Sequence, residues 1–173
     1  MGLPMCHRLL KNGFELSVHN RSQEKVINIL ELGAHDGAST SQITKNNDII
    51  LTCLPDIVTV EEIFLGSGGI IESCLPGQIL VDHSTVGINT SKRCAEAAEA
   101  KGATFLDAPI SGGTERAADG TLTIMVGGDT EAYEKAFPIF SSMGTTVRHI
   151  GPTGTGTTVK LINQLLVGIH SVA

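Results

Sequence analysis

Aromatic side chains are scarce in this sequence: 3% of 173 residues, with no Trp and a single Tyr. A core therefore has to be built mainly from Ile, Leu, Val and Ala. Basic residues are also few, with 12 Lys and Arg against 18 Asp and Glu and a net charge of −6. That balance favours solubility and argues against a nucleic-acid partner, which would need a basic face. The four cysteines, Cys6, Cys53, Cys74 and Cys94, stand far apart, and no pair has zinc-site or disulfide-framework spacing. Each reads as a small buried hydrophobe in a reducing compartment. No ligand cluster supports a metal. No apolar run reaches the roughly 20 residues of a membrane span, and no signal peptide opens the chain. The expected setting is the cytoplasm, with neither membrane nor nucleic acid as partner.

What is present is an alternation of two periodicities. Short Ile/Val/Leu-rich runs predict strands at 14–20, 48–54, 77–83, 103–109 and 122–128, with a weaker one at 145–151. Helical spacing predicts helices at 3–12, 22–32, 39–46, 57–65, 87–101 and 130–142, and a last one from about 153. Strands alternating with helices imply an α/β fold: one doubly wound domain with a mostly parallel sheet. The two ends are expected to be truncated. The chain opens on a helix with no strand before it, and its last helix is still apolar at Ala173.

Several strand ends carry chemistry. Gly2, Leu3, Pro4 and Met5 open the first helix, where a dinucleotide fold receives pyrophosphate on free amides. About 18 residues later the second strand ends in Asn20-Arg21-Ser22, at the offset of the residue that reads the adenosine ribose. Asn20 is neutral and Arg21 offers a cationic fork suited to phosphate, which favours NADP over NAD; a solvated arginine at a helix start is the plainer alternative. Leu54 and Pro55, and the hydroxyls of Ser84 and Thr85, lie at two further strand ends where a cofactor can sit. Ser84 or Thr85 could equally cap helix 87–101. His83, with no visible partner, reads better as a packed or surface histidine than as an acid–base group. Ser111-Gly112-Gly113 can converge a hydroxyl and backbone amides on a carboxylate. Finally, Gly154-Thr-Gly-Thr-Thr-Val-Lys160-Leu-Ile-Asn163-Gln164 places a lysine and two amides on one face of an apolar helix. Taken alone, that lysine suits snorkelling.

In order and in combination, Met1-Gly2-Leu3-Pro4-Met5, Asn20-Arg21-Ser22, Asp82-His83-Ser84-Thr85-Val86, Asp107-Ala108-Pro109-Ile110-Ser111-Gly112-Gly113 and the closing Gly-x-Gly-x-x-x-Lys-x-x-Asn element resemble the β-hydroxyacid dehydrogenase family. That family includes 3-hydroxyisobutyrate dehydrogenase, tartronate semialdehyde reductase and 6-phosphogluconate dehydrogenase. The resemblance covers essentially the whole chain. It implies a Rossmann-like NAD(P)-binding domain over 1–151 and, from 152 to 173, the start of a helix connecting to an all-helical domain. The family's opening Gly-x-Gly-x-Met-Gly is represented here by its final Met-Gly alone. The expected first strand is therefore missing.

The resemblance further implies that Lys160 is the catalytic acid/base, and that Ser111, Gly112 and Gly113 hold a substrate carboxylate. It places Asn163 and Gln164 where amides orient the substrate. The cofactor is expected to be NADP, with NAD possible. The substrate is a small carboxylate-bearing hydroxy acid or semialdehyde, and the full-length protein is expected to be a homo-oligomer. Burial in an apolar helix is expected to lower the Lys160 pKa toward neutrality. A non-catalytic NADP-binding module is the principal rival, and an imine reductase on the same fold is another. Retention of both Lys160 and Ser-Gly-Gly favours the dehydrogenase.

Overall fold

The computed structural model describes residues 1–22 and 24–172. Gln23, inside the expected helix 22–32, and Ala173, at the end of the expected last helix, lie outside the described residues.

Helix α1 (Gly2–Lys11) opens the chain and is followed by β1 (Ser17–Val18), α2 (Glu24–Leu30), β2 (His35–Asp36) and α3 (Thr40–Asn46). A run of βα units follows: β3 (Ile49–Thr52), α4 (Ile57–Leu65), a one-turn α5 (Ile70–Ser73), β4 (Ile79–Asp82), α6 (Ile88–Glu99) and β5 (Thr104–Asp107). The remainder is β6 (Ile110–Ser111), α7 (Gly113–Asp119), β7 (Leu122–Gly127), α8 (Thr130–Met143), β8 (Gly144–Gly151) and α9 (Thr155–Val172). Residues that accept from the chain's own first-turn amides set several helix starts. Ser39 takes the Gln42 amide, Asp56 that of Thr59 and Asp129 that of Ala132.

The strands form a six-stranded sheet and a two-stranded one. In the larger sheet β3, β4 and β5 are parallel, β7 runs antiparallel to β5 and β6, and β8 is parallel to β7. β1 and β2 pair in parallel, and among the described residues no ladder joins them to β3. This is a Rossmann-like, mostly parallel α/β architecture. Alternation along the strands divides the core between two faces. Val81, Leu106 and Ile124 pack with Met5, Leu9, Phe140 and Met143 on one side. Ile50, Leu80 and Phe105 pack with Val60, Phe64, Cys94 and Ala98 on the other.

Most expected elements appear within a few residues of their bounds. The first strand contracts to two residues, and four short elements are additional: β2, α5, β6 and α7. β2 consists of two exposed polar residues and carries no apolar run. α5 is a single turn. α7 buries only Ala117, so it lacks the apolar stripe by which helices are read. All four take their form from neighbours rather than from an internal periodicity.

Backbone packs closely on backbone where α9 meets the sheet. A Cβ on Gly156 would collide with the carbonyls of Met125 and Asp107 and the amide of Gly127. A Cβ on Gly168, in the distal half of the same helix, would meet nothing within 4 Å. Gly156→Ala is therefore expected to cost about 1–3 kcal/mol. Gly168→Ala should add about 0.4–1 kcal/mol by removing unfolded-state entropy. Urea unfolding midpoints of the two variants, moving in opposite directions, check the pair.

Candidate active site at the carboxyl edge of the sheet

One register row crosses five strands at the end where β3, β4 and β5 finish. Thr52 is opposite Asp82, Asp82 opposite Asp107, Asp107 opposite Gly127, and Gly127 opposite Gly151. In open α/β sheets ligands lie outside this edge. Two features of the row stand out: a pair of buried aspartates at neighbouring strand ends, and glycines where α9 crosses.

Asp82 organises the first half of the row. Its Oδ1 accepts from Thr52 Oγ1 (2.8 Å), Ser84 Oγ (2.6 Å) and Ser84 N (3.0 Å). Ser84 Oγ in turn accepts from the amide of Leu54 at 2.8 Å. Ser84 therefore ties the end of β4 to the loop after β3, joining two of the expected cofactor positions. It does not cap α6, whose preceding residue is Gly87 with no side-chain cap; Thr85 and Pro55 are not drawn into this network. Burial raises the Asp82 pKa, and its three hydrogen bonds oppose that rise.

His83 is packed, as expected, at 2% exposure. Its Nδ1 lies 2.7 Å from the Ala108 carbonyl and so carries the proton, while Nε2 has no partner among the described residues. The ring meets Phe140 edge to face at 5.9 Å between centroids. Burial pushes its pKa down to about 4. A neutral ring enclosed in this way is a core residue and carries no proton traffic.

The start of α1 and the loops after β1 and β3 form the second region. α1 begins with no side-chain cap, and the space around Gly2 is open, so its first amides are unengaged by side chains. Leu3 is exposed, and Met5 is buried in the core at 4%, which leaves Met5 only its backbone to offer a ligand. Asn20 Nδ2 donates to the Ser22 carbonyl at 3.0 Å, and Asn20 and Arg21 are exposed. Across from them Asp56 accepts the Thr59 amide at 2.7 Å. That bond is the chief reason its pKa is lowered, and the Arg21 charge assists. The loops 20–22 and 54–56 thus lie within electrostatic reach of each other.

Ser111 ends β6 opposite Thr123 of β7. Gly112 and Gly113 follow with φ of 137° and 71°, a backbone that side chains resist. Both are exposed, and they turn the chain into α7, whose start has no side-chain cap.

The last region is α9. Lys160 is 6% exposed, and its Nζ donates to Gln164 Oε1 at 2.8 Å. Asn163 Nδ2 reaches the same oxygen at 3.3 Å. The three residues form one cluster, and burial lowers the Lys160 pKa. A snorkelling lysine with its ammonium in water is not what is seen. Ahead of it, Asp107 accepts from Gly154 N through Oδ1 and from Thr157 N through Oδ2, both at 2.7 Å. The motifs read from the sequence contain Asp107 and Asp82, and neither acquires a role from sequence alone. Each ends a short, largely apolar strand just before small or polar residues, and that shared placement is the signal that could have found them. The Ser111–Gly113 turn makes no hydrogen bond to the Lys160 cluster; β7 links the two, since it pairs with both β5 and β6.

The cysteines are free, Cys74 and Cys94 are buried, and Cys6 and Cys53 are half-buried. Burial pushes Cys6 to about 11 and Cys94 to about 12. Among the described residues no group of three His, Cys, Asp or Glu is placed to hold a metal, and no helix is long and apolar enough to cross a membrane.

Fold and site together define a dinucleotide-binding α/β domain. Residues 1–151 match the family described as the NAD binding domain of 6-phosphogluconate dehydrogenase, and the chain belongs to that family. A protein of Synechocystis sp., named as an uncharacterized oxidoreductase, is 43% identical over 100% of this chain and 60% of its own length. The NAD-dependent L-serine dehydrogenase of Pseudomonas aeruginosa is 38% identical over 98% of this chain and 57% of its own. The structure of 3-hydroxyisobutyrate dehydrogenase from Mycobacterium tuberculosis with L-serine superposes with a TM-score of 0.93 at 26% identity, and the match covers 99% of this chain and 58% of that one. The chain thus spans about three fifths of the length of these relatives.

The His83 geometry has a measurable consequence. The unfolded ring takes up a proton near pH 6.5, whereas the folded ring resists it until about 4. Between those values the unfolded state binds more protons, so this contribution to stability is lost as pH falls. At about 1.4 kcal/mol per pH unit, the full interval corresponds to roughly 3 kcal/mol. Unfolding free energies of wild type and His83→Leu, compared from neutral pH down to about 4, should show wild type losing that much more. Parallel curves would contradict the assignment of a buried neutral ring.

Proposed function

We propose that this chain is the cofactor-binding part of an oxidoreductase that interconverts a small β-hydroxy acid and its semialdehyde, with Lys160 as the acid/base. The observation that carries the reading is Lys160 itself: a buried amine on α9, hydrogen-bonded to Gln164, beyond the edge where ligands of this fold bind. Family membership and the dehydrogenase names of its relatives support it. In this reading residues 1–151 form the dinucleotide domain and 152–173 begin a connecting helix.

The residues fit a nicotinamide dinucleotide. The uncapped first turn of α1 and the open space at Gly2 suit a pyrophosphate, and the Ser84–Leu54 tie shapes the wall beside it. Arg21 suits a 2′-phosphate, which favours NADP while leaving NAD possible. Bound there, the nicotinamide supplies the carbon that takes or gives a hydride. The protein holds the substrate and moves the proton. The Ser111 hydroxyl and the amides around Gly112 and Gly113 hold the carboxylate. In the reductive direction protonated Lys160 donates to the carbonyl oxygen as charge develops on it; in the oxidative direction the neutral amine takes the hydroxyl proton. A pKa lowered by burial suits both roles. Asn163 and Gln164 orient the same oxygen without altering the local charge. The full-length protein, on the same reading, is a homo-oligomer of the cytoplasm.

Lys160→Ala is expected to lower kcat by roughly 10²–10⁴-fold and to leave NADPH affinity within about twofold. Steady-state kinetics beside a fluorescence titration check this, and full turnover in the variant sinks the assignment. Arg21→Ala should weaken NADPH by about 10–100-fold, the value of a charge-assisted hydrogen bond, and leave NADH nearly unaffected. Equal losses for the two cofactors would show that Arg21 does not read the phosphate.

A further inference from the structure

A helix start leaves amides without partners, and a side chain on the residue just before the helix commonly accepts one of them. α9 has a glycine there, Gly154, with φ +90°. Its acceptor comes from far along the chain. Asp107, at the end of β5, takes the Gly154 amide on one carboxylate oxygen and the Thr157 amide on the other, each at 2.7 Å and each buried. Two glycines let this happen. A Cβ on Gly127 would press on Asp107 Oδ1, the Gly156 amide and Thr155 Oγ1. A Cβ on Gly156 would strike the Asp107 and Met125 carbonyls. On the third side Ser91 of α6 meets Thr157, hydroxyl to hydroxyl, at 3.1 Å. The first turn of α9 is therefore clamped by β5, β7 and α6. Lys160, three residues past Thr157, is the last buried residue of the helix; its large apolar side chains from Leu161 onward are exposed.

We propose that Asp107 is a positioning residue for Lys160: its carboxylate holds the first turn of α9 against the sheet and so sets the depth and rotation at which Lys160 meets its substrate. This rests on the reading of Lys160 as the proton-transferring residue. The geometry supports it beyond simple capping. A local N-cap would stabilise α9 wherever the helix lay, whereas a carboxylate on β5 fixes the helix to the strand that leads into Ser111-Gly112-Gly113. The proton donor and the carboxylate turn are thereby referred to one rigid strand. Burial raises the Asp107 pKa and the two amide bonds oppose the rise.

The test compares the unaltered protein with Asp107→Asn, which keeps one acceptor oxygen, and Asp107→Glu, which keeps the charge and lengthens the arm by one methylene. Three quantities are read: amide exchange at Gly154 and Thr157, titration of the Lys160 amine by NMR of labelled lysine, and kinetic constants. In the unaltered protein both amides should exchange at least about 100-fold more slowly than in an unstructured chain. In the variants at least one amide should lose that protection, and Lys160 should titrate closer to an ordinary lysine. kcat should fall by about 100-fold, the effect of a displacement near 1 Å, with NADPH affinity changed by less than about twofold. A purely structural Asp107 would lower stability and leave the titration, the pH profile and kcat per folded molecule unmoved; that result overturns the proposal. Should neither variant fold, the unaltered protein decides: unprotected amides at Gly154 and Thr157 overturn it, and protected ones support the clamp. If Lys160→Ala retains full turnover, the catalytic reading fails. Exchange and titration then still report separately on what Asp107 does to α9.

Discussion

At the end of β5 the two oxygens of Asp107 hold the Gly154 and Thr157 amides across a sequence separation of about fifty residues. An unpaired buried amide costs on the order of 1–3 kcal/mol, and bonds to a charged acceptor contribute about as much. The first turn of α9 is enclosed by β5, β7 and α6, so the carboxylate has no ready substitute there. What α9 places depends on that grip: the depth of Lys160 and the direction in which the exposed apolar stretch of the helix leaves the domain; the Lys160–Gln164 bond is internal to the helix. The glycines at 127 and 156 are the complementary condition, because backbone-to-backbone approach is possible only where no Cβ intervenes.

On the adjacent strand, β4, Asp82 has a similar role. It binds Thr52 and Ser84, and through Ser84 it fixes the amide of Leu54. Two neighbouring strands thus end in a buried carboxylate, and each carboxylate ties down the loop or helix that follows another strand. The apolar residues beneath this row supply most of the stability in the usual way, by burial on both faces of the sheet. The polar row adds little bulk to the core and sets the geometry of the surface above it. His83, between the two systems, is enclosed at 2% exposure, and burial keeps its ring neutral well into acid.

Much of the fold is legible in the sequence. The alternation of Ile/Val/Leu runs with helical spacing locates β3, β4, β7, β8 and the longer helices, because those elements bury a regular stripe. The elements that it misses, β2, α5, β6 and α7, lack such a stripe and are held by what surrounds them. The site is legible as residue types. Lys160, Asn163 and Gln164 lie on one helical face and do cluster, and Ser111-Gly112-Gly113 is indeed a glycine-permitted turn. The cap reading of Ser84 gives way to a different use of the same hydroxyl. A hydroxyl's partner is decided by which strand lies beside it, and spacing along the chain does not contain that information.

Local chemistry is what the amino-acid sequence by itself determined: where strands and helices fall, which helix is oily, and that its one lysine is followed by two amides on the same face. These follow from periodicities of 2 and 3.6 and from side-chain identity, which act over a few residues. Tertiary structure alone decided that β4 and β5 align Asp82 with Asp107, and that α9 passes close enough for Asp107 to replace the cap its own glycine cannot supply. It also decided that Lys160 is buried rather than solvated. Those outcomes depend on register and on contacts between segments 25 to 50 residues apart, and such distances are set by how the sheet assembles.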